Sequence, residues 1–149
     1  GLGIPAEPLF RSKLLSTIDK SIKINLISSK IRVLLESDKE QINRVIFNLI
    51  KNSIESIQQK AENTSNFDKI IDIEIYEKSS QIYIIIVDNG LGFENFTSDL
   101  NEILKPYVTT KKSGTGLGLS IVNKIINDHN GKLNFFSIPN GAKVEIVFN

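Results

Sequence analysis

Residues 111–120, KKSGTGLGLS, carry three glycines at alternate positions, Gly114, Gly116 and Gly118, immediately before the apolar-periodic segment IVNKIIND. Glycine admits positive φ and lacks the side chain that would hold a ligand away from the backbone. The first turn of a following helix adds unpaired N–H groups and a partial positive charge. That combination suits a phosphate group. The run is not a Walker loop, because GxxxxGK[ST] is absent, and it follows a polar loop, which argues against a dinucleotide fingerprint. Taken alone, it is equally an ordinary Gly-rich turn leading into a helix.

A second group lies on a long helix predicted from residue 38 to about residue 60, where Ile42, Val45, Ile46, Leu49, Ile50, Ser53, Ile54 and Ile57 recur at helical spacing. Asn48, Lys51, Asn52, Glu55 and Ser56 stand among them. Asn48 and Asn52 are four apart and share a face. Their amide oxygens suit a hard cation such as Mg²⁺, which keeps several waters and takes few protein ligands beside substrate phosphates. The alternative is two asparagines decorating a solvent face. Asparagine is a poor helix former, so two in one largely apolar helix are locally unfavourable. The third group is VDNGLGF, residues 87–93, in which Asp88 ends an apolar strand. Its carboxylate can accept an N–H from a ligand amine, with Gly90 and Gly92 opening the backbone to a planar base. DNG is also a common turn sequence.

These residues need a scaffold. With 149 residues, 40% of them apolar, the chain can build one domain with a core. Eighteen basic against 17 acidic residues give a net charge of +1, which leaves no electrostatic footprint for nucleic acid. There is no cysteine and a single histidine, His129, so disulfide frameworks, thiolate sites and His-cluster metal sites are excluded. No apolar run reaches membrane-spanning length, and GLGIPAEPLF does not read as a signal peptide.

Residues 1–8 read as a linker and residues 9–149 as the domain. A short, weak helix is expected over residues 9–21, strands over 23–28 and 31–37, then the long helix with Ser37 or Asp38 as its cap. IDIEIYE (71–77) and QIYIIIVDN (81–89) form a predicted hairpin whose Ile71, Ile73 and Ile75 face one side. Residues 90–113 are long, polar and weakly periodic, as functional lids and disordered linkers are. A second helix is expected over 116–130, stopped at Asn130-Gly131. KLNFFSI and AKVEIVF form a final hairpin around Pro139-Asn140-Gly141. The pattern predicts an α+β two-layer sandwich with helices on one face of a mixed sheet.

In order, the motifs are NLIKN on a helix, VDNGLGF after a strand, PYVTTK, and GTGLGLS before a helix. This series resembles the N, G1, F and G2 boxes of the catalytic, ATP-binding domain of bacterial sensor histidine kinases, within the gyrase, chaperone, histidine-kinase and mismatch-repair ATPase superfamily. The resemblance runs from about residue 24 to residue 148. NSIESI, TTK and DHNGKL are most similar to nitrogen-regulatory sensor kinases.

The resemblance implies a Bergerat-type fold with an ATP lid between the G1-like and G2-like boxes, and ATP and Mg²⁺ as cofactors. It implies that Asn52 is the Mg²⁺ ligand with Asn48 beside it, that Asp88 accepts the adenine amino group, and that Gly90 and Gly92 shape the adenine pocket. Lys51 and Ser56 fall beside the nucleotide. Lys111 would neutralise phosphate charge from the lid, and Gly114, Gly116, Leu117 and Gly118 would line the phosphates.

The implied activity is that of an ATP-dependent protein histidine kinase, passing the γ-phosphoryl to a histidine on a dimerisation domain absent from this chain. A response regulator would act downstream. The domain would be cytoplasmic, its parent anchored in the inner membrane or free of it. A transfer-deficient nucleotide-binding regulatory module and an anti-sigma-type serine kinase are the alternatives. Two positions depart from the resemblance or sharpen it. Glu55 stands where many members have Lys. Asn48 stands where hydrolytic relatives carry a Glu general base, so water activation is disfavoured. His129, at a helix end, reads as structural and not as the phospho-acceptor.

Overall fold

The structure, a computed structural model, describes residues 20–28, 39–93 and 118–148. In chain order these form β1 (Lys23–Ser28), α1 (Lys39–Asn63), β2 (Ile70–Lys78), β3 (Gln81–Asp88), α2 (Gly118–Asp128), β4 (Gly131–Ile138) and β5 (Gly141–Phe148). The strands make one five-stranded sheet in the order β1-β2-β3-β5-β4. β1 runs parallel to β2, and the pairs β2–β3, β3–β5 and β4–β5 are antiparallel. The sheet is therefore mixed, as expected.

Period-2 alternation decides which side chains meet the helices. Ile71, Ile73 and Ile75 of β2 and Ile82, Ile84 and Ile86 of β3 are buried on one face, joined by Ile146 and Phe148 of β5. α1 closes over them with Val45, Ile46, Leu49, Ile50, Ile54 and Ile57, and α2 with Val122, Ile125 and Ile126. Both helices thus lie on the same face, α1 against β2 and β3 and α2 against α1 and β4. The opposite face carries Asp72, Glu74, Tyr76, Tyr83, Ile85 and Val87, the alternate residues of β2 and β3. There Tyr76 and Tyr83, direct cross-strand partners, stack with ring centroids 4.9 Å apart.

The boundaries adjust the sequence reading. α1 continues past Lys60 to Asn63, through Ala61 and Glu62, both good helix formers. α2 stops at Asp128, and Asn130 takes φ 56° before Gly131 enters β4. The two-residue loop Ser79-Ser80 turns with φ 53° and 63°, and Asn140 turns the last hairpin at φ 60°. Lys20 and Ser21, the end of the helix expected over residues 9–21, are turn. The strand expected over residues 31–37 lies outside the described residues, as do residues 94–113 of the segment 90–113 expected to form a lid.

The topology gives the sheet two unlike ends. β3 finishes at Asp88 beside Ile71 and Ala142, next to the start of β2 and of β5. α1 must return the chain to Ile70, so its C-terminal turns reach this same end. α2 leads into β4 through two residues, so its C-terminus sits at the far end and its first turn points back toward Asp88.

Candidate functional site

Asp88 occupies the eighth position of a strand whose even residues all face the helices. Alternation therefore drives its carboxyl into the covered face, where it is only 6% exposed. A buried carboxylate needs partners. The backbone N–H of Gly90 donates to Oδ1 at 2.9 Å, and the Ser53 hydroxyl of α1 bonds the carboxyl. Burial pushes the Asp88 carboxyl above its ordinary range, and the Gly90 N–H, Ser53 and the charge of Lys60 pull it partly back. An ionised carboxylate has roughly four acceptor positions, so these two bonds leave capacity for a donor arriving from outside.

The chain just beyond Asp88 is held by bonds at Asn89 and Leu91 as well as Gly90. Asn89 Oδ1 accepts from Ile70 N at 3.0 Å, and its Nδ2 donates to the Asp68 carbonyl. The Asn89 carbonyl accepts from Lys60 Nζ at 2.9 Å. Leu91 N donates to Ser56 Oγ at 2.9 Å.

The glycines of this corner are required by protein packing. A Cβ on Gly90 would lie 2.5 Å from Ser56 Oγ and 2.8 Å from Ile57 N, so only glycine lets the loop touch the helix backbone. Gly92 has φ 69° and faces the Gly141 carbonyl. The sequence argument placed these glycines against a base. The space a side chain would fill is instead occupied by α1 and β5, and what they offer a base is backbone.

Along α1 the polar residues form a stripe leading away from the corner. Ser56, Asn52 and Asn48 follow at four-residue steps, about 6 Å apart along the axis, each half-buried, with Lys51 exposed beside them. Glu55 is half-buried on the same stretch. Gly118 is the first residue of α2. The structure thus brings Asn48, Asn52, Ser56, Asp88, Gly90 and Gly92 onto one face. Lys111, Gly114, Gly116 and Leu117 lie outside the described residues.

His129 is at the other end of the sheet. Its Nδ1 lies 2.7 Å from the Ile125 carbonyl, and its backbone N–H donates to the carbonyls of Ile125 and Ile126. It caps the C-terminus of α2, in agreement with the structural reading.

Three residues of the corner escaped the sequence reading: Ser53, Lys60 and Asn89. Ser53 left a signal, because a hydroxyl at a position of the buried apolar stripe must find a polar partner. Lys60 and Asn89 left none, since a basic residue near a helix end and an Asn in a DNG turn are ordinary.

The donor set fits a nucleotide with a divalent cation. Among the described residues no group of three or more His, Cys, Asp or Glu could cage a metal. The amide oxygens of Asn48 and Asn52 instead match an ion that shares its shell with phosphates and water.

Residues 37–149 match the family of histidine kinase-, DNA gyrase B- and HSP90-like ATPases, and the chain belongs to that family. Its relatives include the nitrogen regulation protein NtrY of Azorhizobium caulinodans, 33% identical over 104 residues, covering 70% of this chain and 13% of that protein. An NtrY-like protein of Rickettsia typhi is 37% identical over 112 residues, 74% of this chain and 17% of that protein. The catalytic domain of histidine kinase ThkA superposes with a TM-score of 0.71 at 27% identity, covering 99% of this chain and 89% of that one. The chain therefore spans under a fifth of the length of these curated relatives, but nearly the whole of a solved catalytic domain.

Proposed function

We propose that this domain binds Mg²⁺–ATP and passes the γ-phosphoryl to a histidine on a dimerisation domain outside these 149 residues, as the catalytic unit of a two-component sensor histidine kinase. The observation that carries the reading is the Asp88 corner. A buried carboxyl is held in one orientation by Gly90 N–H and Ser53, beside a backbone stripped of side chains. Ionised Asp88 accepts the exocyclic amine of adenine. Guanine presents a carbonyl at the equivalent position, and two acceptors facing each other repel, so the site selects ATP over GTP.

From this anchor the polar stripe of α1 leads along the nucleotide. Asn52, assisted by Asn48, holds Mg²⁺, which supplies charge neutralisation at the phosphate oxygens when bound. Lys51 and Lys111 add positive charge. Gly114, Gly116 and Leu117, which precede α2 in the sequence, and Gly118, its first residue, supply N–H groups to the phosphates in this reading, and the dipole of α2 favours an anion at its start. Phosphoryl transfer asks chiefly for such positioning and charge stabilisation.

Asn48 is a neutral amide and extracts no proton from water at neutral pH, so the phosphoryl waits for a separate nucleophile. His129 does not serve, since it is engaged at the end of α2 remote from Asp88. The partners are accordingly a histidine-bearing dimerisation domain and, downstream, a response regulator. The setting is the cytoplasm, where ATP is supplied. No helix among the described residues is long and apolar enough to cross a membrane.

Isothermal titration of the chain with ATP and GTP, with and without Mg²⁺, tests the reading. ATP should bind and GTP should not. Asp88→Ala should weaken ATP binding about 100-fold, the scale of a buried polar group left unpaired. Asn52→Ala should remove the Mg²⁺ dependence. An Asp88→Ala variant that binds ATP as tightly as the parent would refute the adenine assignment.

A further inference from the structure

We propose that Lys60 is a positioning residue for adenine recognition: from the last turn of α1 it grips the Asn89 carbonyl and holds the peptide that places the Asp88 carboxyl, without touching the nucleotide. The proposal rests on the reading of Asp88 as the adenine acceptor.

Four observations support it. Lys60 Nζ donates to the Asn89 carbonyl at 2.9 Å across 29 residues of sequence, tying the end of α1 to the peptide that follows Asp88. Asn89 is also held by Ile70 N–H and the Asp68 carbonyl, so the peptide Lys60 holds belongs to a fixed bracket between β2 and β3. The ammonium lies 4.8 Å from the centroid of the Phe67 ring, which covers it from the loop side and limits its rotamers. Finally, Lys60 is the charge acting on the Asp88 carboxyl among the described residues. The other groups facing that carboxyl, Gly90 N–H and Ser53 Oγ, are neutral.

The physical need is specific to this site. An adenine acceptor must be ionised, yet the carboxyl sits where burial favours the neutral acid. A protonated Asp88 would present a hydroxyl donor to an amine donor. A cation held at fixed distance by a carbonyl and a ring offsets that tendency without forming a direct ion pair, which would consume the acceptor positions the base requires. A purely structural lysine could be replaced by any residue that keeps the helix end and the corner folded. A positioning lysine could not.

The experiment compares Lys60→Met, Lys60→Gln and Lys60→Arg in the full chain. It reads ATP affinity by titration calorimetry, unfolding by urea, and the Asp88 carboxyl by ¹³C NMR against pH without nucleotide. Lys60→Met should bind ATP about tenfold more weakly, the size of one charge-assisted hydrogen bond. Its Asp88 carboxyl should titrate at higher pH than in the parent. Lys60→Gln, which keeps a donor for Asn89 but no charge, should show the titration shift with a smaller loss of affinity. Lys60→Arg should restore both.

If the Asp88 titration is the same in the parent and in Lys60→Gln, the proposal is overturned, whatever happens to stability. If the titration moves but Lys60→Met binds ATP within twofold of the parent, Lys60 does not position the acceptor and the proposal is overturned; Asp88→Ala, read separately, decides whether Asp88 itself reads the base.

Discussion

The two ends of the sheet differ less in how they turn, since Asn140 at the Asp88 end is also left-handed with a Cβ, than in what packs beside the turns. At the far end, Ser79, Ser80 and Asn130 take left-handed backbone with side chains that stay exposed. Their backbone strain is carried by residues with a Cβ. At the Asp88 end, Gly90, Gly92 and Gly141 are glycine because other backbone occupies the space of a Cβ, and the polar groups between them are buried and bonded. The far end has only to turn. The Asp88 end has to hold a carboxyl in one place while leaving part of it unused. Close backbone packing and a surplus acceptor at a strand end mark a binding corner better than a glycine count does.

The strongest way to break this contrast is Gly141→Ala. Its Cβ would collide with the Asp88 carbonyl and the adjoining Asn89 Cα, backbone that cannot rotate away. The expected loss is about 3 kcal/mol or more of folding stability, at the upper end for overpacking. Urea unfolding measures it, and a loss under 1 kcal/mol would mean that the corner is softer than described.

Asp88→Asn sharpens the comparison next. The native carboxyl titrates above its unfolded range because burial disfavours the charge. Between the two values the folded state binds more protons than the unfolded state, so this residue's contribution to stability falls as pH rises. Most carboxylates that gain partners on folding behave in the opposite sense. The parent minus Asp88→Asn difference in unfolding free energy should therefore decline from acid toward neutral pH, and a rising difference contradicts the buried-charge description.

The smallest effect is expected at the far end. Ser80→Gly removes the cost of a Cβ at φ 63° in a turn that prefers glycine. The turn is exposed, so the gain should be about 1 kcal/mol, from a left-handed penalty of that order. ATP affinity should not change. A shift in ATP affinity would show that the two ends are coupled.

The sequence made the layered α+β fold legible because its periodicities are strong. The isoleucines of β2 and β3 alternate cleanly, and the apolar stripe of α1 repeats over five turns. The proposed site was legible where residue type and chemistry coincide, as with Asp88 at a strand end and Asn48 and Asn52 on one helical face. The supporting groups were not. Ser53, Lys60 and Asn89 act through contacts between segments far apart in sequence, and such contacts exist only once β3 has docked under α1. The glycines of VDNGLGF were visible, but their purpose was not, because the helix backbone at Ser56 and Ile57 and the Gly141 carbonyl that require them are far from Gly90 and Gly92 in sequence.

The topology also has a chirality. β1 and β2 are parallel strands bridged by α1, and β3 and β4, both antiparallel to β5, are parallel strands bridged by α2. The two bridges advance in the same direction across the sheet and lie over the same face, but β1 and β3 point opposite ways. Two such crossovers are necessarily of opposite hand, so one of them is left-handed, against the right-handed form of about 98% of crossovers. Had both been right-handed over one face, α1 and α2 would run parallel and present like ends to the Asp88 corner. With one hand reversed, the negative end of α1 and the positive end of α2 meet there, an electrical polarity that matches a molecule with an amine at one end and phosphates at the other.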